Sequence, residues 1–277
     1  MNVSRTGTEA QEISQSAWSE PGGTLGELVR AMAGRSEEMP KPFSGLRPSF
    51  AGALRRDFVT VIGEIKRASP SKGSIRMDLD SGAQAAVFEK GGAAAISVLT
   101  EPSRFGGSLA DIGNVRGASL LPILKKDFHT KPEQILQAKE LGASAALLIV
   151  RAVTPAQLRE CIVTANENAI DLLVEVHRES ELDLALENGA SIIGVNTRNL
   201  ETLEMNPTAH ERLIPRIPAN VIAVAESGMS TRLDVLRAAD VGADAVLIGS
   251  ILSETGDVAT LLRAFTTITR RTDVRTN

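Results

Sequence analysis

Four glycines, Gly92, Gly142, Gly189 and Gly242, punctuate this chain at intervals of 50, 47 and 53 residues, each followed by Ala and then a short apolar run. The runs are Ile96–Leu99, Leu147–Val150, Ile192–Val195 and Ala245–Ile248. Each glycine closes a segment of helical period and suits the left-handed position where helices end. One strand-plus-helix unit takes roughly 25 to 30 residues, so every interval holds two. The intervening strands are present as Thr60–Lys66, Pro122–Asp127, Leu172–His177 and Val221–Glu226. Eight units between residue 60 and about residue 270 predict an α/β fold, a (βα)8 TIM barrel with an N-terminal helical extension. An open doubly wound sheet would carry Gly-x-Gly-x-x-Gly after its first strand, and none is there.

The expected organisation is a disordered tail over 1–20, a helical extension over 21–57, the barrel over 58–270 and a C-terminal tail over 271–277. In the extension, Thr24 and Glu27 have the spacing of a capping box ahead of Leu25, Leu28, Val29 and Met32. A second short helix carries Phe50 and Leu54. Both helices are expected as a lid over the N-terminal face of the barrel, with a part in covering substrate left open.

Charge at the ends of buried strands is the functional signal. Parallel strands covered on both faces read as continuous apolar sequence, and an unpaired buried charge costs several kcal/mol. Yet Glu64 and Lys66 close the first strand on one face, and Lys126 closes the third. Glu175 and His177 close the fifth, Asn196 and Arg198 the sixth, and Glu226 the seventh. In barrels of this kind the reacting groups come from the C-terminal strand ends. Ser227-Gly228 after strand seven and Gly249-Ser250 after strand eight have the character of a phosphate cradle. Residues 68–73 form a small-residue loop suited to closing over ligand, with Ser69 in it and Lys72 available to a phosphate.

Composition excludes other classes. A net charge of −4, with seven Phe, one Trp and no Tyr, offers nucleic acid neither a basic footprint nor a stacking platform. Cys161 is the single cysteine and sits in a helical stretch, as a packing residue. His129, His177 and His210 lack ligand spacing, so no metal is expected. Asp127 alternates to the outer face of its strand and is expected to tether a neighbouring helix or loop. No apolar run reaches the roughly 20 residues that span a bilayer, and Met1–Trp18 is polar. The expectation is a cytoplasmic monomer with a small phosphorylated substrate, no membrane or nucleic-acid partner and no cofactor.

The ordered set of motifs resembles the indole-3-glycerol phosphate synthase family. It comprises Glu64–Gly73 (EIKRASPSKG), Ser97–Thr100, Phe105–Ser108, Lys126–Phe128, Leu147–Ile149, Glu175–His177, Asn196–Leu200, Glu226–Gly228 and Ile248–Ser250. The resemblance implies ring closure of 1-(2-carboxyphenylamino)-1-deoxyribulose 5-phosphate to indole-3-glycerol phosphate, with loss of carbon dioxide and water. It implies Lys126 as general acid, Glu175, Lys66 and Glu64 in proton transfer, and Asn196 orienting a carboxylate or a substrate hydroxyl. It implies further that Arg198 meets the benzoate, that Phe105, Phe128 and Leu200 form the aryl slot, and that Ser69, Glu226, Ser227, Gly228, Gly249 and Ser250 contact substrate, with Lys66 also on the phosphate. An isomerase of the same fold would carry Cys/Asp or paired Asp where Glu-x-Lys and Glu stand; a ligand-sensing barrel would have lost Lys126 or Glu175. Thr197, Ala225, Met229 and the loop His129–Glu133 depart from the family pattern, leaving room for a substituted anthranilate.

Overall fold

The computed structural model describes residues 18–35 and 39–275, so most of the expected tail over 1–20 lies outside the described residues. Eight parallel strands close on themselves: β1 Thr60–Ile65, β2 Ala95–Leu99, β3 Ile123–Lys126, β4 Ala145–Ile149, β5 Asp171–Val176, β6 Ile192–Asn196, β7 Ile222–Glu226 and β8 Ala245–Ile248. Each strand pairs with its successor, and β1 closes the ring against β8 through Thr60–Ala245 to Gly63–Ile248. All four marker glycines have φ between 82° and 95°, the left-handed conformation that only glycine adopts without cost.

Helices cover the outside, among them α3 Ser81–Lys90, α4 Ala110–Ala118, α5 Pro132–Glu140, α6 Pro155–Glu167, α7 Glu179–Glu187, α8 Ala209–Leu213, α9 Arg232–Asp240, α10 Ser250–Glu254 and α11 Val258–Phe265. The two-residue period of the strands splits the core in two. Val61, Ile96, Ile123, Leu148, Val174, Val195, Ala225 and Val246 face outward into the helices. Ile62, Ala95, Leu124, Leu147, Leu173, Ile192, Val224 and Leu247 fill the barrel. Cys161 is fully buried in α6 within the outer core, and burial pushes its thiol up to about 12, so it is a packing residue.

The two helices of the extension go to opposite ends of the barrel. Helix α2, Phe50–Leu54, plugs the N-terminal end, where the backbone N–H of Ala51 donates to Asp171 Oδ2 at the start of β5. Helix α1, Gly23–Ala33, instead lies at the C-terminal mouth, which corrects the expectation of a lid at the N-terminal face for this helix. Thr24 is not its cap either. The cap is Gly22, two residues earlier, and the N–H groups of Gly22 and Thr24 donate to the Glu201 carboxylate and carbonyl at 2.7 and 3.2 Å. A distant carboxylate does the work of a local capping box, because it also binds Arg151 at 2.9 Å and is thereby fixed in place.

At the other chain terminus, Arg275 is buried and donates to Asp244 Oδ2 and to the carbonyl of Val221. Arg275, in the segment expected as a C-terminal tail, is therefore anchored beneath β7 and β8.

Candidate active site

Above its apolar floor the barrel interior turns polar at six of its eight strands. Glu64 (β1), Ser97 (β2), Lys126 (β3), Glu175 (β5), Asn196 (β6) and Glu226 (β7) are inward positions at the C-terminal mouth. Glu64, Glu175, Asn196 and Glu226 are buried. They open into a cavity of about 250 Å³.

Lys126 is the hub. Its Nζ stands 2.6 Å from Glu226 Oε2, 3.6 Å from Glu64 Oε2 and 3.9 Å from Glu175 Oε2. Lys66 Nζ is 3.0 Å from Glu64 Oε1. Asn196 Nδ2 donates to Glu175 Oε1 at 2.9 Å, and its Oδ1 accepts from the N–H of Arg198 at 3.0 Å. Two residue types that would be costly singly are tolerable here because Glu226 and Glu64 meet an ammonium within hydrogen-bond reach and Glu175 is held by Asn196 with Lys126 at 3.9 Å.

Three carboxylates meet two ammonium groups, so the cluster carries one surplus negative charge, and one carboxyl tends to hold a proton. Burial pushes the Glu226 carboxyl up to about 7, against the attraction of Lys126. Burial alone would lower Lys126, but Glu226, Glu64 and Glu175 outweigh it and hold the ammonium above its ordinary range. Glu64 goes the other way: despite burial, Lys66 and Lys126 keep it below the usual carboxylate range.

Two glycines make room for these charges. A Cβ on Gly194 would overlap Glu226 Oε1, and one on Gly249 would stand 2.5 Å from Glu64 Oε1 and 3.1 Å from Lys66 Nζ. Glu226 Oε1 itself is enclosed without a hydrogen-bond partner. Gly249 therefore brings the loop after β8 against the acid–base cluster, with Ser250 opening α10 beside it. Ser227 and Gly228 follow β7 with φ of 61° and 74°, a local strain at the cavity edge for the non-glycine Ser227.

All fifteen site residues expected from the sequence, from Glu64 to Ser250, line one cavity; Ser97, which was not among them, shares their layer without lining it. Ser69, Phe105, Phe128, Arg198, Leu200, Ser227, Gly228, Gly249 and Ser250 all line it with the charged cluster. Phe105 and Phe128 stack with ring centroids 6.0 Å apart and form an apolar end with Leu28, Leu99, Leu147 and Ile149. Arg198 Nη1 donates to the carbonyl of Leu203 at 3.1 Å. Lys72 also lines the cavity, with its ammonium on Glu254.

Thr24 and Leu28 of α1 line the cavity and were not anticipated, because nothing local in their amphipathic segment says which end of the barrel it covers. Lys125 was missed too, although parity alone points it outward beside Asp127. It is fully buried behind Lys126 and donates to His129 Nε2 at 2.7 Å, while His129 Nδ1–H donates to the carbonyl of Leu147 at 2.7 Å. Burial pushes Lys125 down to about 8 and His129 down to about 3, so the pair is an ammonium donating to a neutral imidazole. Asp127 binds Arg35 at 2.8 Å and Thr100 at 2.5 Å, tethering the end of α1 as its outward parity suggests. The loop His129–Glu133 thus lies behind the strand and does not line the cavity. Among the described residues no group of three His, Cys, Asp or Glu could hold a metal ion, and no helix is long and apolar enough to cross a membrane.

Fold and site together define a (βα)8-barrel protein with a paired Lys–Glu acid–base cluster at the C-terminal mouth. Residues 35–265 match the family model for indole-3-glycerol phosphate synthase. The indole-3-glycerol phosphate synthase of Mycolicibacterium gilvum is 45% identical over 223 residues, 80% of each chain. Indole-3-glycerol phosphate synthase 1 of Streptomyces coelicolor is 46% identical over 218 residues, 78% of this chain and 81% of its own. Among solved structures, 3-hexulose-6-phosphate synthase from Salmonella typhimurium shares the fold alone, with a TM-score of 0.60 and 14% identity over 75% of this chain and 97% of that one. The chain belongs to the indole-3-glycerol phosphate synthase family.

Proposed function

We propose that the cavity converts 1-(2-carboxyphenylamino)-1-deoxyribulose 5-phosphate into indole-3-glycerol phosphate, carbon dioxide and water. The observation that carries this reading is Lys126, held charged among Glu226, Glu64 and Glu175, opposite a slot walled by Phe105 and Phe128. The aryl ring lies in that slot with Leu200, and Arg198 meets the benzoate with its planar fork. The phosphate rests on Lys66 and the N–H groups of Gly228, Gly249 and Ser250, with Ser69 and Ser227 at its edge.

Lys126 donates to the ketone oxygen as the ring carbon attacks, and loss of carbon dioxide restores aromaticity. Departure of the new hydroxyl then needs a second donor, and loss of a ring proton needs an acceptor. Glu175, Lys66 and Glu64 share these steps, with Asn196 fixing the Glu175 carboxylate. Glu226 joins the proton-transfer set rather than merely contacting substrate, because a carboxyl at about 7 exchanges its proton near neutral pH. His129–Glu133 does not line the cavity, so the departure of that loop from the family pattern gives no reason of its own to expect a substituted anthranilate ring. A monomeric, cytoplasmic enzyme completes the reading.

The test is a continuous fluorescence assay for the indole product, run on the wild type and on Lys126→Ala. Loss of about 10³-fold in kcat is expected for a general acid; full turnover in the variant would sink the assignment of Lys126.

A further inference from the structure

With its benzoate ionised, the substrate becomes product, carbon dioxide and water only by taking up one proton per turnover. Two protons enter, one on the ketone oxygen and one on the departing hydroxyl, and one leaves from carbon. Glu64, Glu175 and Glu226 are buried, and the proton they spend has to come back from solvent in each cycle.

His177 stands on the far side of Glu175 from Lys126. Lys126 lies 3.9 Å from Glu175 Oε2, whereas His177 Nε2 lies 3.4 Å from Glu175 Oε1. That Nε2 is enclosed and makes no hydrogen bond. His177 Nδ1 faces Glu181 Oε2 of α7 at 3.4 Å, and the His177 backbone N–H donates to the same oxygen at 2.7 Å. The ring also lines a second cavity of about 380 Å³, outside the barrel mouth and separated from the first by Asn196 and Leu200, which wall both. Arg178, half-exposed, pairs with Glu181 at 3.3 Å on the rim of that cavity.

We propose that His177 is a proton-relay residue that reloads Glu175 from the second cavity during turnover. This rests on the synthase reading. In the step, the Nε2–H bond of the imidazolium breaks and an O–H bond forms on Glu175 Oε1. The neutral imidazole keeps its proton on Nδ1, and a turn of the ring about Cβ–Cγ carries the bare Nε2 to the second cavity, where a solvent hydronium ion restores the imidazolium and leaves water. Its charged form is favoured because, although burial opposes it, Glu181, Glu175 and Glu226 all face it and raise its pKa above the ordinary histidine value; Arg178 beside Glu181 is the opposing cation. His177 never touches substrate, so it acts through Glu175.

Steady-state kinetics on the wild type, His177→Ala and His177→Gln test this, with and without added imidazole. Relay predicts that kcat falls about tenfold in both variants, KM stays within about twofold, and imidazole restores His177→Ala. Unchanged kcat overturns the relay, and so does a loss that imidazole leaves untouched and that KM shares. If His177→Ala does not fold, wild-type turnover in His177→Gln, which keeps volume without a transferable proton, still overturns it. Absence of turnover in the wild type overturns the synthase reading and the relay together, whereas a wild-type rate in the variants removes the relay alone.

Discussion

Glu226 is held against its own chemistry, and Glu226→Gln reads out the cost. Its carboxyl rises from an ordinary 4.5 to about 7 because burial disfavours the anion more than Lys126 favours it. A raised folded-state pKa means that the folded protein binds the extra proton. The associated stability is fully present below pH 4.5 and is lost as pH rises through about 7. At about 1.4 kcal/mol per pH unit, the loss is about 3 kcal/mol. Glutamine copies the protonated carboxyl in shape and charge and does not titrate. The variant should therefore match the wild type near pH 4.5 and exceed its stability by about 3 kcal/mol at pH 8. Urea unfolding followed by far-UV circular dichroism, at several pH values for both proteins, gives the difference directly. Common contributions such as the ionisation of Glu64 cancel in that difference. The same variant should lose most of its turnover. A stability difference that stays flat across this pH range would refute the charge accounting, and with it the case for Glu226 in proton transfer.

Gly194→Ala should leave the fold intact but displace the Glu226 carboxylate, lowering kcat about tenfold or more with little change in KM. Inorganic phosphate at ten times its dissociation constant should stabilise the wild type by about 1.4 kcal/mol, visible as a rise in Tm. Gly249→Ala, whose new methyl meets Glu64 and Lys66, should abolish that rise; an equal rise in the variant places the anion elsewhere. Lys125 has a folded-state pKa lowered to about 8, so the stability it withholds is restored as pH climbs from about 8 towards its ordinary 10.5. Lys125→Met should therefore gain on the wild type most at neutral pH, less the hydrogen bond lost to His129, with the gain shrinking above about pH 10 in parallel urea titrations.

The parts of this molecule legible in its sequence are those that local rules determine. A left-handed residue at each helix end and a two-residue strand period are properties of a few consecutive positions, so the marker glycines counted eight strands and parity placed Glu64, Lys126, Glu175 and Glu226 on one interior face. Helix α1 defeated the same reasoning because its position is decided by Glu201, which lies 179 residues from Gly22 and offers both a cap and an anchor on Arg151. No spacing inside 21–33 contains that information. Lys125 shows a different limit. Its outward parity was readable, but a charge on an outer strand face has no fixed meaning until its partners are known. Here they are a neutral His129 four residues on and a carboxylate that also binds Arg35. The loop His129–Glu133, whose departure from the family pattern suggests altered chemistry near Lys126, is by this geometry part of the support behind β3. The same holds for Glu226. Its place at a strand end made it a candidate, yet the proton-carrying role proposed for it rests on the count of three carboxylates against two ammonium groups, gathered from strands β1, β3, β5 and β7. Charge balance in a closed space is a property of the assembled barrel, and it is there that the division of proton-transfer labour is set.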